Sequence, residues 1–210
     1  EPTSVSEKLL FSTVKLIVQK AGGITATGTA FFFDVPFGEG KSIPLIVTNK
    51  HVVAGGIIGE FLLHESETKD GRDIPSGRTL MVRLASFEGR WPMHPTASID
   101  LCAMPMAAIH QNASAVGKTI YSRTLAPDII PDEQALSQLF AVEDILMIGY
   151  PVGLSDDKNN LPLVRRGITA SHPAVDYQGR SEGVVDAACF PGASGSPIVV
   201  LNERHYQTRQ

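Results

Sequence analysis

The stretch at 190–199, which reads FPGASGSPIV, contains the residues best suited to nucleophilic chemistry. It places two serines, Ser194 and Ser196, among glycine and proline and directly before an apolar pair. Glycine and proline at these spacings are also typical of an ordinary turn that leads into a strand. A serine becomes a nucleophile when a histidine accepts its proton and an acid orients that histidine. Residues elsewhere in the chain must therefore decide between a turn and a catalytic serine.

The histidine candidate is His51, which follows an apolar run and a polar turn in LIVTNKHVV. The acid candidate is Asp100, a single carboxylate that enters an apolar stretch in SIDLCA. A carboxylate in such a stretch is expected to be buried and paired. A cap or strand-end aspartate is the alternative interpretation, and Asp70 or Asp73 would then supply the acid. The remaining histidines are expected to be surface or satisfied core residues: His64, His94, His110, His172 and His205.

The motifs TNKHVV, SIDLCA and DAACFPGASGSPIV occur in the order His, Asp, Ser. In that order they resemble the chymotrypsin/trypsin-like serine proteases, and most of all the bacterial HtrA (Deg) branch. A further pair, IGYPVG followed by RGITA, is similar to a hairpin of that branch. The resemblance runs from about residue 27 to residue 199. It implies a serine endopeptidase that hydrolyses peptide bonds through a His51-Asp100-Ser194 triad and an acyl-enzyme.

The resemblance also implies an oxyanion hole made by the nucleophile's own N–H and that of the residue two before it. That earlier residue must allow close approach and an unusual backbone, which favours glycine. This spacing fits Ser194 as the nucleophile, because Gly192 lies two residues before it. If Ser196 were the nucleophile, Ser194 would lie at the position that favours glycine. The predicted oxyanion hole is therefore formed by Gly192 and Ser194. Ala188 stands where trypsin has its specificity aspartate, so we predict substrate binding through small or medium apolar side chains.

Two other functions fit the same motifs. A regulatory or binding protein could keep the protease fold with a latent or inactive site. An esterase-like hydrolase could use the same serine on a different substrate. Labelling by a fluorophosphonate would distinguish an active protease from an inactive regulatory or binding protein. Comparing the turnover of esters and peptides would distinguish a protease from an esterase.

The elements that must position these residues are mostly strands. Short apolar runs rich in Val, Ile, Phe and Thr are separated by Gly, Pro and polar residues, as in an all-β protein. A capping box at Ser4 and Glu7 predicts one short helix, and residues 132–139 predict another. The polar segments 64–78 and 153–161 are expected to be surface loops.

The resemblance implies two antiparallel, trypsin-like β-barrels. We predict an N-terminal lobe at 1–115 with His51 and Asp100, and a C-terminal lobe at 116–210 with Ser194. Only 16 residues follow Ser194 in the 210-residue chain, and the polar segment 202–210 does not look like a core strand. We therefore expect the second barrel to be incomplete at its C-terminus, or to receive strands from elsewhere, and we expect hydrolysis to be weak.

The amino-acid composition limits the kinds of partner that we expect. The apolar fraction of 43% supports a buried core, and a net charge of −4 argues against nucleic-acid binding. No apolar run approaches the roughly 20 residues of a membrane helix. The sequence has no CxxC, HExxH or GK[ST] motif, so we predict neither metal nor cofactor. A protein or peptide substrate is the expected partner, and the sequence leaves the oligomeric state open.

Two further features concern the compartment. The cysteines Cys102 and Cys189 are expected to be buried thiols rather than a disulfide. The N-terminus, EPTSVSEKLL, has no signal peptide, which favours the cytoplasm. It also lacks an initiator Met, so a removed leader stays open.

Overall fold

The structure, a computed structural model, describes residues 1–201 and 203. Its larger sheet has seven strands in the order β5-β4-β1-β2-β3-β6, and β7 pairs with β4. All the pairs are antiparallel. The strands are β1 (Thr13–Lys20), β2 (Thr25–Pro36), β3 (Ser42–Thr48), β4 (Gly56–Lys69), β5 (Arg72–Ala85), β6 (Cys102–Pro105) and β7 (Ile120–Tyr121).

The smaller sheet has four antiparallel strands in the order β10-β9-β8-β11. They are β8 (Asp144–Gly149), β9 (Leu163–Thr169), β10 (Val185–Asp186) and β11 (Ile198–Val199). Within the described residues neither sheet closes on itself, and β11 pairs with β8 alone. The mostly β architecture is confirmed, whereas the two closed barrels stay a prediction. The segment 202–210 lies outside the described residues except for Glu203.

Four short helices accompany the sheets: α1 (Val5–Leu9), α2 (Lys50–Val53), α3 (Ala107–Ala115) and α4 (Glu133–Ser137). The predicted capping box is present at α1, where Ser4 accepts from the Glu7 backbone and Glu7 accepts from the Ser4 backbone. At α4 the Asp132 carboxylate caps the helix by accepting from the Ala135 N–H. Both helices predicted from the sequence are therefore present. No helix among the described residues is long and apolar enough to cross a membrane.

The main core lies on one face of the larger sheet. Alternate residues of β1 point into it, so Val14, Leu16 and Val18 are almost fully buried, as the period-two pattern of a strand requires. Phe87 and Trp91 cover these strands and contact each other edge to face. This core holds β2 and β3 rigidly, and those two strands carry the residues beneath the candidate site.

Two predictions outside the site need correction. Segment 64–78 is not a loop, because β4 and β5 continue through it as a long hairpin that turns at residues 70–71. Most of its polar residues are exposed strand positions, whereas His64 and Glu65 are buried. Cys102 is a buried thiol, and burial raises its pKa to about 12. Cys189 is also free but exposed, so only one of the two thiols is buried as expected.

Candidate active site

His51 and Asp100 are brought together by two elements of the larger sheet. His51 lies on α2, directly after β3, and Asp100 lies just before β6, which pairs with β3. The His51 Nδ1 is 2.5 Å from an Asp100 carboxylate oxygen. The other carboxylate oxygen accepts from the His51 backbone N–H at 3.1 Å. This contact orients the imidazole through one nitrogen and leaves Nε2 directed elsewhere.

The surroundings of this pair differ from the expectation in one respect. The side chains of His51 and Asp100 are 58% and 47% exposed, so Asp100 is not buried. Asn49 adds a further hydrogen bond, since its side-chain amide donates to the Asp100 backbone carbonyl at 2.7 Å. The alternative acids lie elsewhere, because Asp70 and Asp73 are at the far end of the β4–β5 hairpin, where Thr68 donates to Asp73. Asp100 is thus the carboxylate that contacts His51.

The segment 190–196, here called the serine loop, contains two backbone N–H groups that have no hydrogen-bond partner among the described residues. Among the described residues, neither the Gly192 nor the Ser194 N–H donates a hydrogen bond. The carbonyls in the same peptide units are both held: Val152 donates to Pro191, and Ser196 donates to Ala193. Because a trans peptide directs its N–H opposite to its C=O, these contacts turn the two N–H groups away from Val152 and Ser196.

Glycine at position 192 is required by the backbone. Gly192 has φ +92°, and a Cβ there would clash with the Tyr150 carbonyl oxygen. Gly195, on the other side of Ser194, has φ +86°, and a Cβ there would clash with the Thr29 carbonyl oxygen. Only glycine accepts these conformations at low cost. The two glycines therefore hold Ser194 in a tight, left-handed turn.

The two serines of this loop differ sharply. The Ser196 hydroxyl is completely buried and has no hydrogen-bond partner. Ser194 is half-buried, and within the described part of the chain its hydroxyl makes no hydrogen bond, including to His51. Catalytic hydrogen bonds are often long in a free enzyme and shorten when substrate binds.

The serine loop is attached to the larger sheet through β2. The Thr29 N–H donates to the Ser194 carbonyl at 2.9 Å, and Thr48 at the end of β3 donates to the Thr29 carbonyl at 2.6 Å. Only two residues lie between Thr48 and His51. The same two strands therefore carry the contacts to the serine loop and the start of the His51 helix. Thr29 was not predicted from the sequence, because a threonine inside a strand pattern carries no chemical signal of its own.

The predicted specificity residue, Ala188, is exposed in the loop between β10 and the serine loop. It carries no charge, and the neighbouring Cys189 is exposed as well. Arg165 lies 4.8 Å from the ring centre of Phe190, at the start of the serine loop. In the described part of the chain, no three His, Cys, Asp or Glu side chains cluster as metal ligands would.

His64 is a buried histidine away from the site, on β4. Its Nε2 lies 3.1 Å from the Asn160 carbonyl, and its ring contacts Phe11. Burial lowers the pKa of His64, with the hydrogen bond to Asn160 opposing that effect. This is the satisfied core histidine expected from the sequence. His205 lies outside the described residues.

The buried His64 gives a pH-dependent stability. Its folded-state pKa lies below the unfolded value of about 6.5, so the unfolded chain binds a proton more readily. This contribution is complete above about pH 6.5 and is lost as the pH falls below it. We expect the thermal unfolding midpoint to decrease between pH 7.5 and 5.5, and to decrease less in His64→Gln, which cannot titrate. Carboxylates whose pKa the fold lowers, such as Glu65 beside Lys118, add acid sensitivity only at lower pH. An equal decrease in wild type and variant would contradict the prediction.

Two solved structures of serine proteases are similar to this chain in fold. The HtrA-type protease AlgW, in a structure with a tripeptide, is similar over 91% of this chain, with 18% identity and a TM-score of 0.52. Deg5 is similar over 95% of this chain and 83% of its own, with 15% identity and a TM-score of 0.54. The chain has the fold of the HtrA-type serine proteases.

The similarity in fold covers nearly all of this chain but only part of the AlgW structure. The chain spans about half of the AlgW structure, since 48% of that structure is matched. No protein-family model matches the chain, and no curated protein does either. The resemblance read from the motifs is thus confirmed at the level of the fold.

Proposed function

We propose that this chain is a serine endopeptidase that cleaves peptide bonds through an acyl-enzyme. The observation that carries the proposal is the serine loop, in which the N–H groups of Gly192 and Ser194 donate no hydrogen bond to any described residue and the turn depends on glycine at 192 and 195. The contact between His51 and Asp100 supports it. The likeness to an HtrA-type protease solved with a tripeptide supports a peptide or protein substrate.

In the proposed mechanism the Ser194 Oγ attacks the carbonyl carbon of the peptide while its proton passes to His51 Nε2. Asp100 keeps the proton on Nδ1 and stabilises the imidazolium that forms. The N–H groups of Gly192 and Ser194 donate to the oxygen on which negative charge develops. His51 then gives its proton to the leaving amine, which leaves an acyl group on Ser194.

Water completes the reaction by the same route. His51 takes a proton from a water molecule, and the resulting hydroxide attacks the acyl carbon. The tetrahedral adduct collapses, the acid product leaves, and the proton returns to Ser194. We further propose that the lobes 1–115 and 116–210 are two β-barrels that meet at this site.

The decisive experiment is labelling of the purified chain with a fluorophosphonate, which reacts with an activated serine. Labelling on Ser194 would support hydrolysis. The second candidate is a binding or regulatory protein with a latent site. This candidate is favoured by the Ser194 hydroxyl, which makes no hydrogen bond to a described residue, and by the exposure of Asp100. A binding or regulatory protein with a latent site would not be labelled, even with a peptide present to order the site. Ester turnover without peptide turnover would instead indicate an esterase.

Substrate preference is expected to follow from Ala188. An uncharged alanine offers no partner for a lysine or arginine side chain, and a desolvated unpaired charge is unfavourable. We predict cleavage mainly after small or medium apolar residues, measured on a peptide library. Ala188→Asp is the matched variant, and it should shift cleavage toward lysine and arginine. Wild-type cleavage mainly after lysine or arginine would contradict the assignment.

A further inference from the structure

Thr29 is a buried threonine on β2 that contacts the serine loop. It lies within β2, its exposed fraction is 0%, and every polar group it carries is hydrogen-bonded. Its hydroxyl donates to the Gly192 carbonyl at 2.9 Å and accepts from the Tyr150 N–H at 3.0 Å. Its backbone binds the Ser194 carbonyl and the Thr48 hydroxyl. One side chain thus bridges the serine loop and the turn after β8.

We propose that the Thr29 hydroxyl is a positioning group for the oxyanion hole, an inference that rests on the proposed function. Thr29 touches neither substrate nor reacting atoms. It acts by fixing the direction of the Gly192 carbonyl, and through it the backbone around the Gly192 N–H.

The geometry explains why one hydroxyl has this effect. Gly192 joins two peptide units, and the carbonyl of each is held by a different partner. Val152 donates to the carbonyl of Pro191 at 2.5 Å, and Thr29 donates to the carbonyl of Gly192 at 2.9 Å. Gly192 has φ +92° and no side chain, so it has little intrinsic preference for this conformation. The Ala193 N–H, in the same peptide unit as the Gly192 carbonyl, donates to the Phe190 carbonyl at 3.0 Å. Without the Thr29 contact, that single hydrogen bond to a described residue would have to fix the plane of this unit.

One of the two holding contacts comes from a turn, and the other is linked to that turn through a hydrogen bond. Val152 belongs to the turn at Pro151–Gly153, and Tyr150, which directs its N–H at the Thr29 hydroxyl, immediately precedes it. Because a hydroxyl can donate and accept at once, Thr29 relays the position of this turn to Gly192. Valine, which has the same shape but no hydroxyl, would leave the Gly192 carbonyl and the Tyr150 N–H without a partner.

The test compares side chains that differ at position 29 only by the hydroxyl. Thr29→Val is compared with wild type, and Thr29→Ala with Thr29→Ser. Thr13→Val is the control for removing a buried hydroxyl, because Thr13 is also buried but its hydroxyl has no hydrogen-bond partner among the described residues. Each protein is labelled with a fluorophosphonate over a range of concentrations, which gives the saturating rate and the half-saturating concentration. Thermal unfolding of each variant is measured alongside.

The hydroxyl-free variants are expected to lose at least about tenfold in the saturating rate, a part of the roughly 100-fold lost with an oxyanion donor. The half-saturating concentration should stay within about twofold, because the oxyanion contact forms only in the transition state. Thr29→Ser should recover most of the rate relative to Thr29→Ala, and Thr13→Val should label like wild type. A purely structural threonine would lower the unfolding midpoint without this separation between rate and binding.

The outcomes are distinguishable. If wild type is labelled and Thr29→Val and Thr29→Ala keep its saturating rate, the inference on Thr29 is overturned while the proposed function stands. If Thr29→Val does not fold, the Ala/Ser pair decides alone, since alanine adds no atom to the buried site. If wild type is not labelled, the proposed function fails and the role of Thr29 fails with it.

Discussion

Ser194→Ala is expected to abolish fluorophosphonate labelling and peptide hydrolysis while leaving the fold intact. The variant removes only the nucleophilic oxygen, and the hydrogen bond from Thr29 uses the Ser194 backbone carbonyl, which alanine retains. Intact mass after labelling measures the first effect, and release of a fluorogenic peptide measures the second. Both signals should fall to background, because the remaining groups of a triad contribute little without the nucleophile.

Ser196→Ala is the matched control for this prediction. It makes the same chemical change two residues away, at a hydroxyl that is buried and without a partner. Removing an unsatisfied buried hydroxyl is neutral or stabilising, so this variant should label at nearly the wild-type rate. If labelling survives in Ser194→Ala and is lost in Ser196→Ala, the assignment of Ser194 as the nucleophile is wrong.

Asp100→Asn is expected to lower turnover by a factor of about 10⁴, as in a Ser-His-Asp triad whose acid is replaced by its amide. The asparagine amide can occupy the same space, but it presents a donor toward His51 Nδ1 and so favours the wrong tautomer. The contact that changes is the 2.5 Å approach of the carboxylate to the imidazole. Turnover is measured with a fluorogenic peptide, and far-UV circular dichroism establishes that the fold is retained.

Asp73→Asn provides the comparison for Asp100. Asp73 is also an exposed aspartate that accepts a hydrogen bond, but its partner is Thr68 on the β4–β5 hairpin. This variant should keep wild-type turnover. Unchanged turnover in Asp100→Asn, or a large loss in Asp73→Asn, would remove Asp100 from the proposed triad.

The class of fold and the candidate site residues could be predicted from patterns that are local in the chain. Short apolar runs separated by Gly and Pro indicated strands, and the order of the His51, Asp100 and Ser194 motifs indicated an HtrA-type protease fold. The capping box at Ser4 and Glu7 was visible because its two hydrogen bonds are local in the chain. Glycine at 192 was similarly visible, since the backbone conformation it permits is a property of the residue itself.

The contacts between distant segments depend on how the chain packs in three dimensions. The segment 64–78 looked like a loop, yet it forms a hairpin because backbone pairing between β4 and β5 tolerates polar side chains on exposed faces. The exposure of Asp100 and the burial of the Ser196 hydroxyl depend on which segments pack nearby.

The contacts of Thr29 show the same limit most clearly. Its partners lie 19, 121, 163 and 165 residues away along the chain, at Thr48, Tyr150, Gly192 and Ser194. No pattern of period two or 3.6 encodes a contact at such separations. They exist because β2 packs beneath the serine loop, which places one buried threonine against three other segments of the fold.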